Sequence, residues 1–236
     1  MGTPDFAVPC LRALIDNKHE VVGVVTQPDR AKGRGNKLAP PPVKVLAEQY
    51  GIPVFQPEKV KTPEFVEKLR ALAPEVIVVV AFGQILSQEI LDIPPKGCIN
   101  VHGSLLPKYR GAGPIQWSII NGDKTTGVTT MVMDKGLDTG DMIQKREFEI
   151  LEKETAQDLH DKMSAIGAEV MIETLKLIEQ GIAPRTPQNH EMHTYAPMLD
   201  KTTGKIDWSR SARDIYNLIR GTYPWPGAYS SYMNSV

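Results

Sequence analysis

The 236-residue sequence has few cysteines and no excess of either charge. Its two cysteines, Cys10 and Cys98, fall in a predicted helix and a predicted strand, which excludes a disulfide framework and indicates reduced thiols. With 27 basic and 28 acidic residues, the sequence excludes an overall basic field for nucleic-acid binding. No apolar run is long enough to span a bilayer, and Met1 begins no secretory signal. We therefore expect a soluble, cytoplasmic protein with no membrane partner.

The sequence does contain a regular alternation of short apolar runs with amphipathic segments. The run Val76–Ala81 is continuously apolar, as in strands that are buried on both faces. Residues 155–180 instead repeat their apolar side chains at helical spacing. This alternation predicts an α/β fold, with a mostly parallel sheet and helices on both of its faces. The predicted strands are Glu20–Thr26, Glu75–Phe82, Cys98–His102, Gly127–Met133 and Met142–Glu149, and the predicted helices are Phe6–Leu14, Val43–Gln49, Pro63–Leu72, Pro114–Asn121, Thr155–Gln180 and Ser211–Arg220.

The pattern changes at residue 181. Residues 181–205 are rich in proline, threonine, histidine and glutamine and have no hydrophobic period, which is typical of a linker or a surface arm. We therefore divide the chain into a first domain at 1–180, a linker at 181–205 and the beginning of a second domain at 206–236. His190 and His193 in the linker do not predict a zinc site, because no cysteine and no helical pattern accompanies them.

Two polar side chains stand at the end of the predicted strand Cys98–His102. Asn100 and His102 alternate with an apolar residue and therefore point to the same side, and Gly103 then opens a loop. Ligands bind at such strand ends in open α/β sheets. Acyl transfer to an amine needs hydrogen-bond donors for the oxyanion that forms, and we assign this role to Asn100 and His102. It also needs an acidic residue that keeps His102 charged and accepts the proton of the amine, and we assign this role to Asp138. Each residue alone also fits a structural role, as a turn residue or a core histidine.

A basic loop at residues 28–38 is too long for an ordinary connection between a strand and a helix. Such a loop can contact phosphates or splayed bases at the end of an RNA, although a solvated loop without a ligand is the alternative. Its two glycines do not complete a dinucleotide-binding motif, because Leu38 stands where the third glycine is needed. A nicotinamide cofactor is therefore not expected. The basic residues of the loop are Arg30, Lys32, Arg34 and Lys37.

The motifs INVHGSLLP at residues 99–107 and GLDTGD at 136–141 resemble those of the folate-dependent formyltransferases. The likeness runs through nearly the whole chain, from GTPDF at residues 2–6 to PWPG at 224–227. It implies a Rossmann-like formyltransferase domain at 1–180 and the start of a β-barrel of the oligonucleotide-binding type at 206–236. In the tRNA-formylating branch that the chain resembles, the formyl group of 10-formyltetrahydrofolate passes, without a metal, to the amino group of methionine on initiator tRNA.

The resemblance also implies roles for individual residues. The catalytic asparagine, histidine and aspartate of the family fall on Asn100, His102 and Asp138, and the key arginine of its tRNA-contacting loop falls on Arg34. The other basic residues of that loop are expected to contact tRNA as well, and we expect a monomer. The folate-contacting loop of the family falls on Ser104, Leu105, Leu106 and Pro107.

Family members have a short strand before the segment that begins at Gly2, and a complete barrel after the last residues found here. The resemblance thus implies a chain truncated at both ends. Without that strand, its neighbours expose unpaired backbone groups and an apolar slot. We predict that the 236 residues alone are poorly stable, and a cooperative thermal transition at an ordinary mesophile temperature would contradict this.

Two other functions stay open. One is the same folate-dependent chemistry on a small amine, such as a ribonucleotide or an amino sugar. The basic loop and the segment Ile206–Trp208, which leads into a second domain, argue against it. The other is a non-catalytic fragment that binds folate or RNA, against which the presence of all three catalytic residues argues.

Overall fold

A computed structural model describes residues 1–32 and 37–232, and its elements follow the alternation in the sequence. The helices are α1 (Val8–Asp16), α2 (Pro42–Gln49), α3 (Pro63–Ala71), α4 (Gln88–Leu91), α5 (Pro114–Ile120), α6 (Ala156–Glu179) and α7 (Ala212–Gly221). The strands are β1 (Val24–Val25), β2 (Arg30–Lys32), β3 (Lys37–Ala39), β4 (Val54–Phe55), β5 (Ile77–Val79), β6 (Cys98–His102), β7 (Thr125–Val132) and β8 (Met142–Glu149).

The α/β class is confirmed, but the sheet is mixed rather than mostly parallel. Strands β1 and β4 pair in parallel, and so do β5 and β6. Strand β7 runs antiparallel to β6, and β8 runs antiparallel to β7. The connection from β7 to β8 is short, and only antiparallel neighbours can be joined without a crossover of a dozen or more residues. In the order β5-β6-β7-β8, strand β6 is flanked on both sides.

The long helix α6 supports the central strands. Thr155 and Asp158 form a capping box at its start, in which Asp158 N–H donates to Thr155 Oγ1 and Thr155 N–H donates to Asp158 Oδ2. Gly167 allows close packing against the sheet, since a Cβ there would meet Val101 Cγ1 at 3.0 Å. The end of β6 is thus held against a rigid layer. The fully buried side chains of this layer include Ile99, Val128, Leu159, Met163 and Met171.

The first two residues lie between β1 and β5. The Met1 ammonium donates to Val78 O at 2.6 Å, Val80 N–H donates to Met1 O at 2.9 Å, and Gly2 N–H donates to Val25 O at 3.0 Å. Desolvation lowers the pKa of this ammonium to about 6. Beside it is a cavity of about 410 Å³. Its lining is largely apolar and includes Leu14, Val24, Leu72, Val78 and Leu175.

The residues predicted as a linker or a surface arm at 181–205 pack on the first domain. Thr186 pairs with Met142, and Tyr195 pairs with Arg110. Ala196, which directly follows Tyr195 in the chain, is completely buried. Residues 206–232 include α7, and Tyr229 forms a parallel bridge with Lys205. The domain boundaries themselves stay a prediction.

Candidate functional site

Asn100 and His102 occupy the last three positions of β6 together with Val101, as the alternation predicts. In the register with β7, Asn100 lies opposite Met131 and His102 lies opposite Thr129. Both polar residues are buried, with exposed fractions of 9% and 5%. Two polar side chains on one side of a central strand are costly to bury without partners, so their contacts are informative.

The His102 ring has a partner at each nitrogen. Nε2 lies 2.9 Å from Tyr109 O, and because a carbonyl only accepts, Nε2 carries the proton of this contact. Nδ1 lies 3.7 Å from Asp138 Oδ2, which is longer than a hydrogen bond. The contact with Tyr109 O therefore fixes the orientation of the ring, and Nδ1 faces the carboxylate of Asp138.

Asp138 reaches the same place from the loop between β7 and β8. Its Oδ1 lies 3.5 Å from Asn100 Nδ2, and its Oδ2 accepts a hydrogen bond from Gly111 N–H at 2.9 Å. Position 111 requires glycine, because its φ is +109° and a Cβ there would lie 2.7 Å from Ala196 O. The structure therefore brings together the three residues that the sequence analysis selects as catalytic, although their roles stay a prediction.

The loop that follows β6, residues 104–107, is held by the neighbouring strands. Thr129 Oγ1 donates to Ser104 O at 2.7 Å and accepts from Leu106 N–H at 3.2 Å. Lys145, which lies opposite Thr129 in β8, donates to Leu106 O. The side chains of Ser104 and Leu106 are completely buried. Of the four residues predicted to bind folate, only Leu105 and Pro107 thus present partly exposed side chains to a ligand.

Two titratable groups beside this loop have shifted pKa values. Burial, above all, raises the pKa of Tyr109 to about 12, and its hydroxyl donates to Asp123 Oδ2 at 2.8 Å. Burial also lowers the pKa of Lys145 below its ordinary value. The Tyr109 hydroxyl thus stays protonated near neutral pH and acts in the structure as a donor.

The basic loop forms a hairpin, β2-β3, rather than an irregular connection. Arg30 is exposed at its base, and Lys32 and Lys37 face each other in the register. Arg34 lies outside the described residues. The four basic residues remain predicted tRNA contacts.

A polar network holds the base of the hairpin. Lys44 Nζ lies 2.9 Å from Asp29 Oδ2, and Gln56 Nε2 donates to Asp29 Oδ1 at 2.7 Å. The hydrogen bond from Gln56, together with Lys44, holds the pKa of Asp29 below its usual value. These contacts hold Asp29, the residue directly before β2, against Lys44 of α2 and against Gln56.

Residues 186–196, which we call the crossing segment, also contribute to the site and were not predicted from the sequence. It contacts the loops of Tyr109, Arg110 and Asp138, and its Gln188 is buried at 5% exposure. No local pattern marks Gln188, because its partners lie about 50 and 78 residues earlier in the chain. His190 and His193 form part of an exposed turn.

Residues 1–32 and 37–232 contain neither a metal-binding cluster nor a membrane-spanning helix. No three histidine, cysteine, aspartate or glutamate side chains in these ranges form a group that could hold a metal ion. None of the helices there is both long and apolar enough to cross a membrane.

Comparison with protein families gives two matches. The family described as formyl transferase matches residues 1–175, and the family described as formyl transferase, C-terminal domain, matches residues 198–235. Among curated relatives, the methionyl-tRNA formyltransferase of Clostridioides difficile (strain 630) is 63% identical over 236 residues, which are 100% of this chain and 76% of that protein. The methionyl-tRNA formyltransferase of Geotalea daltonii is 60% identical over 230 residues, which are 98% of this chain and 74% of that protein.

Solved structures with a similar fold include sugar-modifying enzymes. The sugar 3N-formyl transferase WlaRD, crystallised in the presence of 5-N-formyl-THF, has a TM-score of 0.72 at 22% identity, and the match covers 93% of this chain and 76% of that one. The N-formyltransferase from Helicobacter canadensis, in complex with folinic acid and dTDP-3-aminofucose, has a TM-score of 0.73 at 21% identity, with 99% and 82% covered. Likeness at this level of identity shows a common fold.

Proposed function

The chain belongs to the formyl transferase family, and from this premise we propose that it transfers the formyl group of 10-formyltetrahydrofolate to the amino group of methionine on initiator tRNA. The observation that carries this proposal is the 63% identity to a methionyl-tRNA formyltransferase over the whole chain. The assembly of Asn100, His102 and Asp138 at the end of β6 supports it independently. Both formyl donor and tRNA are substrates here, and no step needs a metal.

The reaction makes one bond and breaks another. The methionine nitrogen bonds to the formyl carbon, the bond from that carbon to the folate nitrogen breaks, and the proton that leaves the amine is matched by the one that the departing folate nitrogen gains. Negative charge develops on the formyl oxygen during the attack, so donors directed at that oxygen lower the barrier. A base near the attacking nitrogen removes the proton.

Asn100 and His102 are suited to the donor role. Their donor atoms, Nδ2 and Nδ1, lie 3.5 and 3.7 Å from the two oxygens of Asp138. Both distances are long for hydrogen bonds, so neither donor is bound tightly to the carboxylate and each is available to the formyl oxygen. Because His102 Nε2 is already bonded to Tyr109 O, Nδ1 is the nitrogen that we assign to the oxyanion.

Asp138 is suited to two tasks. Its carboxylate, 3.7 Å from His102 Nδ1, holds the imidazole ring in the orientation that directs this nitrogen to the formyl group. Its carboxylate also accepts the proton of the attacking amine, directly or through a water molecule. The Gly111 N–H keeps Oδ2 in place while the proton moves.

The test is formyl transfer from 10-formyltetrahydrofolate to methionyl-tRNA by the chain and its His102→Ala variant. Removal of an oxyanion donor typically lowers turnover about 100- to 1,000-fold, and the variant should still bind folate. His19→Ala is the matched control, since it removes an imidazole in the loop that follows α1. A His102→Ala variant with wild-type turnover would contradict the assignment.

A small amine is the alternative acceptor, because the chain shares its fold with sugar N-formyltransferases. Arg34→Ala distinguishes the two acceptors. Loss of a phosphate contact should raise KM for methionyl-tRNA and leave hydrolysis of the folate donor unchanged. Arg70→Ala, at an exposed position of α3, is the control. Equal loss of transfer and hydrolysis would mean that the loop is structural.

We further propose that the chain acts as a monomer in the cytoplasm. Both of its cysteines, Cys10 and Cys98, are free and buried, which agrees with a reducing compartment. Light scattering on the purified chain tests the monomer, and a dimer mass would overturn it.

A further inference from the structure

Gln188, in the crossing segment, uses every polar atom of its side chain. Its Oε1 accepts from Arg110 Nε at 3.0 Å and from Arg110 Nη2 at 2.7 Å. Its Nε2 donates to Asp138 O at 2.9 Å and to Gly140 O at 2.8 Å. The guanidinium only donates, so it fixes which end of the amide faces the two carbonyls. A saturated, buried amide has one orientation and no freedom to turn.

Asp138 needs such a support, because its backbone is in the left-handed region at φ +53°. A residue other than glycine keeps this conformation only where its surroundings over-determine it. Here the backbone oxygen is held by Gln188, and the carboxylate is held by Gly111 N–H at 2.9 Å. These two contacts fix the carboxylate beside His102.

The crossing segment has anchors of its own on both sides of Gln188. Thr186 and Met142 exchange two backbone hydrogen bonds of 2.9 Å. Further along, Arg110 N–H donates to Thr194 O at 2.9 Å and Ala196 N–H donates to Arg110 O at 2.7 Å. Loss of the Gln188 donors should therefore leave the segment in place and act on the Asp138 loop.

We propose that Gln188 is a positioning residue for formyl transfer, which sets the place of the Asp138 carboxylate by holding the backbone oxygens of Asp138 and Gly140. The inference rests on the function proposed above. Gln188 itself contacts no reacting atom, and it acts through Asp138.

Gln188→Glu distinguishes support of the Asp138 loop from a role that is limited to binding the Arg110 side chain. The substituted carboxylate keeps the acceptor for Arg110 but loses both donors to the Asp138 loop. We expect kcat for formyl transfer to fall about 10- to 100-fold, since a misplacement of about 1 Å costs that much. KM for donor and methionyl-tRNA should stay within about twofold, because substrate contacts are unchanged. Gln180→Glu, at the exposed end of α6, is the matched control.

The amide proton of Gly111 gives a second readout that does not depend on activity. It donates to Asp138 Oδ2, so its NMR chemical shift should move in Gln188→Glu and stay constant in Gln180→Glu. If the wild-type chain formylates no methionyl-tRNA, the proposed function fails, and the Gly111 shift still tests the role of Gln188.

Three results would overturn the inference: kcat within twofold of wild type, a rise in KM with unchanged kcat, or an unchanged Gly111 shift. If Gln188→Glu does not fold, Gln188→Asn replaces it. That variant keeps the amide on a side chain one methylene shorter, which cannot reach both partners, and the same three results apply.

Discussion

Thr129→Val should destabilise the loop at residues 104–107 although the change in shape is small. The Thr129 hydroxyl donates to Ser104 O at 2.7 Å and accepts from Leu106 N–H at 3.2 Å. All three residues are completely buried. Valine has nearly the same volume but no hydroxyl, so two backbone groups lose this partner in a place that water does not reach.

Each buried polar group left without a partner costs about 1–3 kcal/mol, so the two together set a range of about 2–6 kcal/mol. We expect about 2–4 kcal/mol, because the partly exposed Leu105 and Pro107 let the loop relax. Strand propensity does not produce this loss, since valine is at least as favourable in β-strands as threonine.

Urea unfolding measures the change, read as a lower midpoint at constant slope. Thr129→Ser keeps the hydroxyl and should cost about 1 kcal/mol or less, the value of the lost methyl group. Thr125→Val, at the exposed start of the same strand, should stay within about 0.5 kcal/mol of wild type. If Thr129→Val were as stable as Thr129→Ser, the two hydrogen bonds would not support the loop. In the active protein, the same variant should raise KM for the folate donor.

A further prediction concerns stability at the start of α4. Ser87 has a φ of −76°, which suits proline, and its buried Oγ has no hydrogen-bond partner within the described ranges. Ser87→Pro should therefore raise the free energy of unfolding by about 0.5–1 kcal/mol, measured in urea against Ser87→Ala, and a lower midpoint would contradict it.

Local patterns were sufficient for most of the fold. The bounds of β6 and β8 agree with the predicted strands, and α6 differs from its predicted helix by one residue at each end. The reason is that an amphipathic period and an N-terminal cap are properties of neighbouring residues. The alternation in β6 likewise identified Asn100 and His102 as residues on the same side of a strand.

Strand direction could not be read from the same patterns. The residues of β7 are the same whether its neighbours run parallel or antiparallel to it, and only the pairing with β6 and β8 decides between the two directions. The hairpin β2-β3 was missed for a related reason, since each of its strands has only three residues, too few to show a period, and its pairing is cross-strand.

The sequence by itself determined the α/β class, the resemblance to formyltransferases and the three residues proposed for catalysis, because these depend on short motifs and on local periodicity. The tertiary structure alone decided how the site is held. It buried the side chains of Ser104 and Leu106, placed Nε2 of His102 against Tyr109 O, and brought Gln188 to Asp138. Contacts between residues about 50 or more positions apart follow from how the elements pack, and no local pattern encodes them.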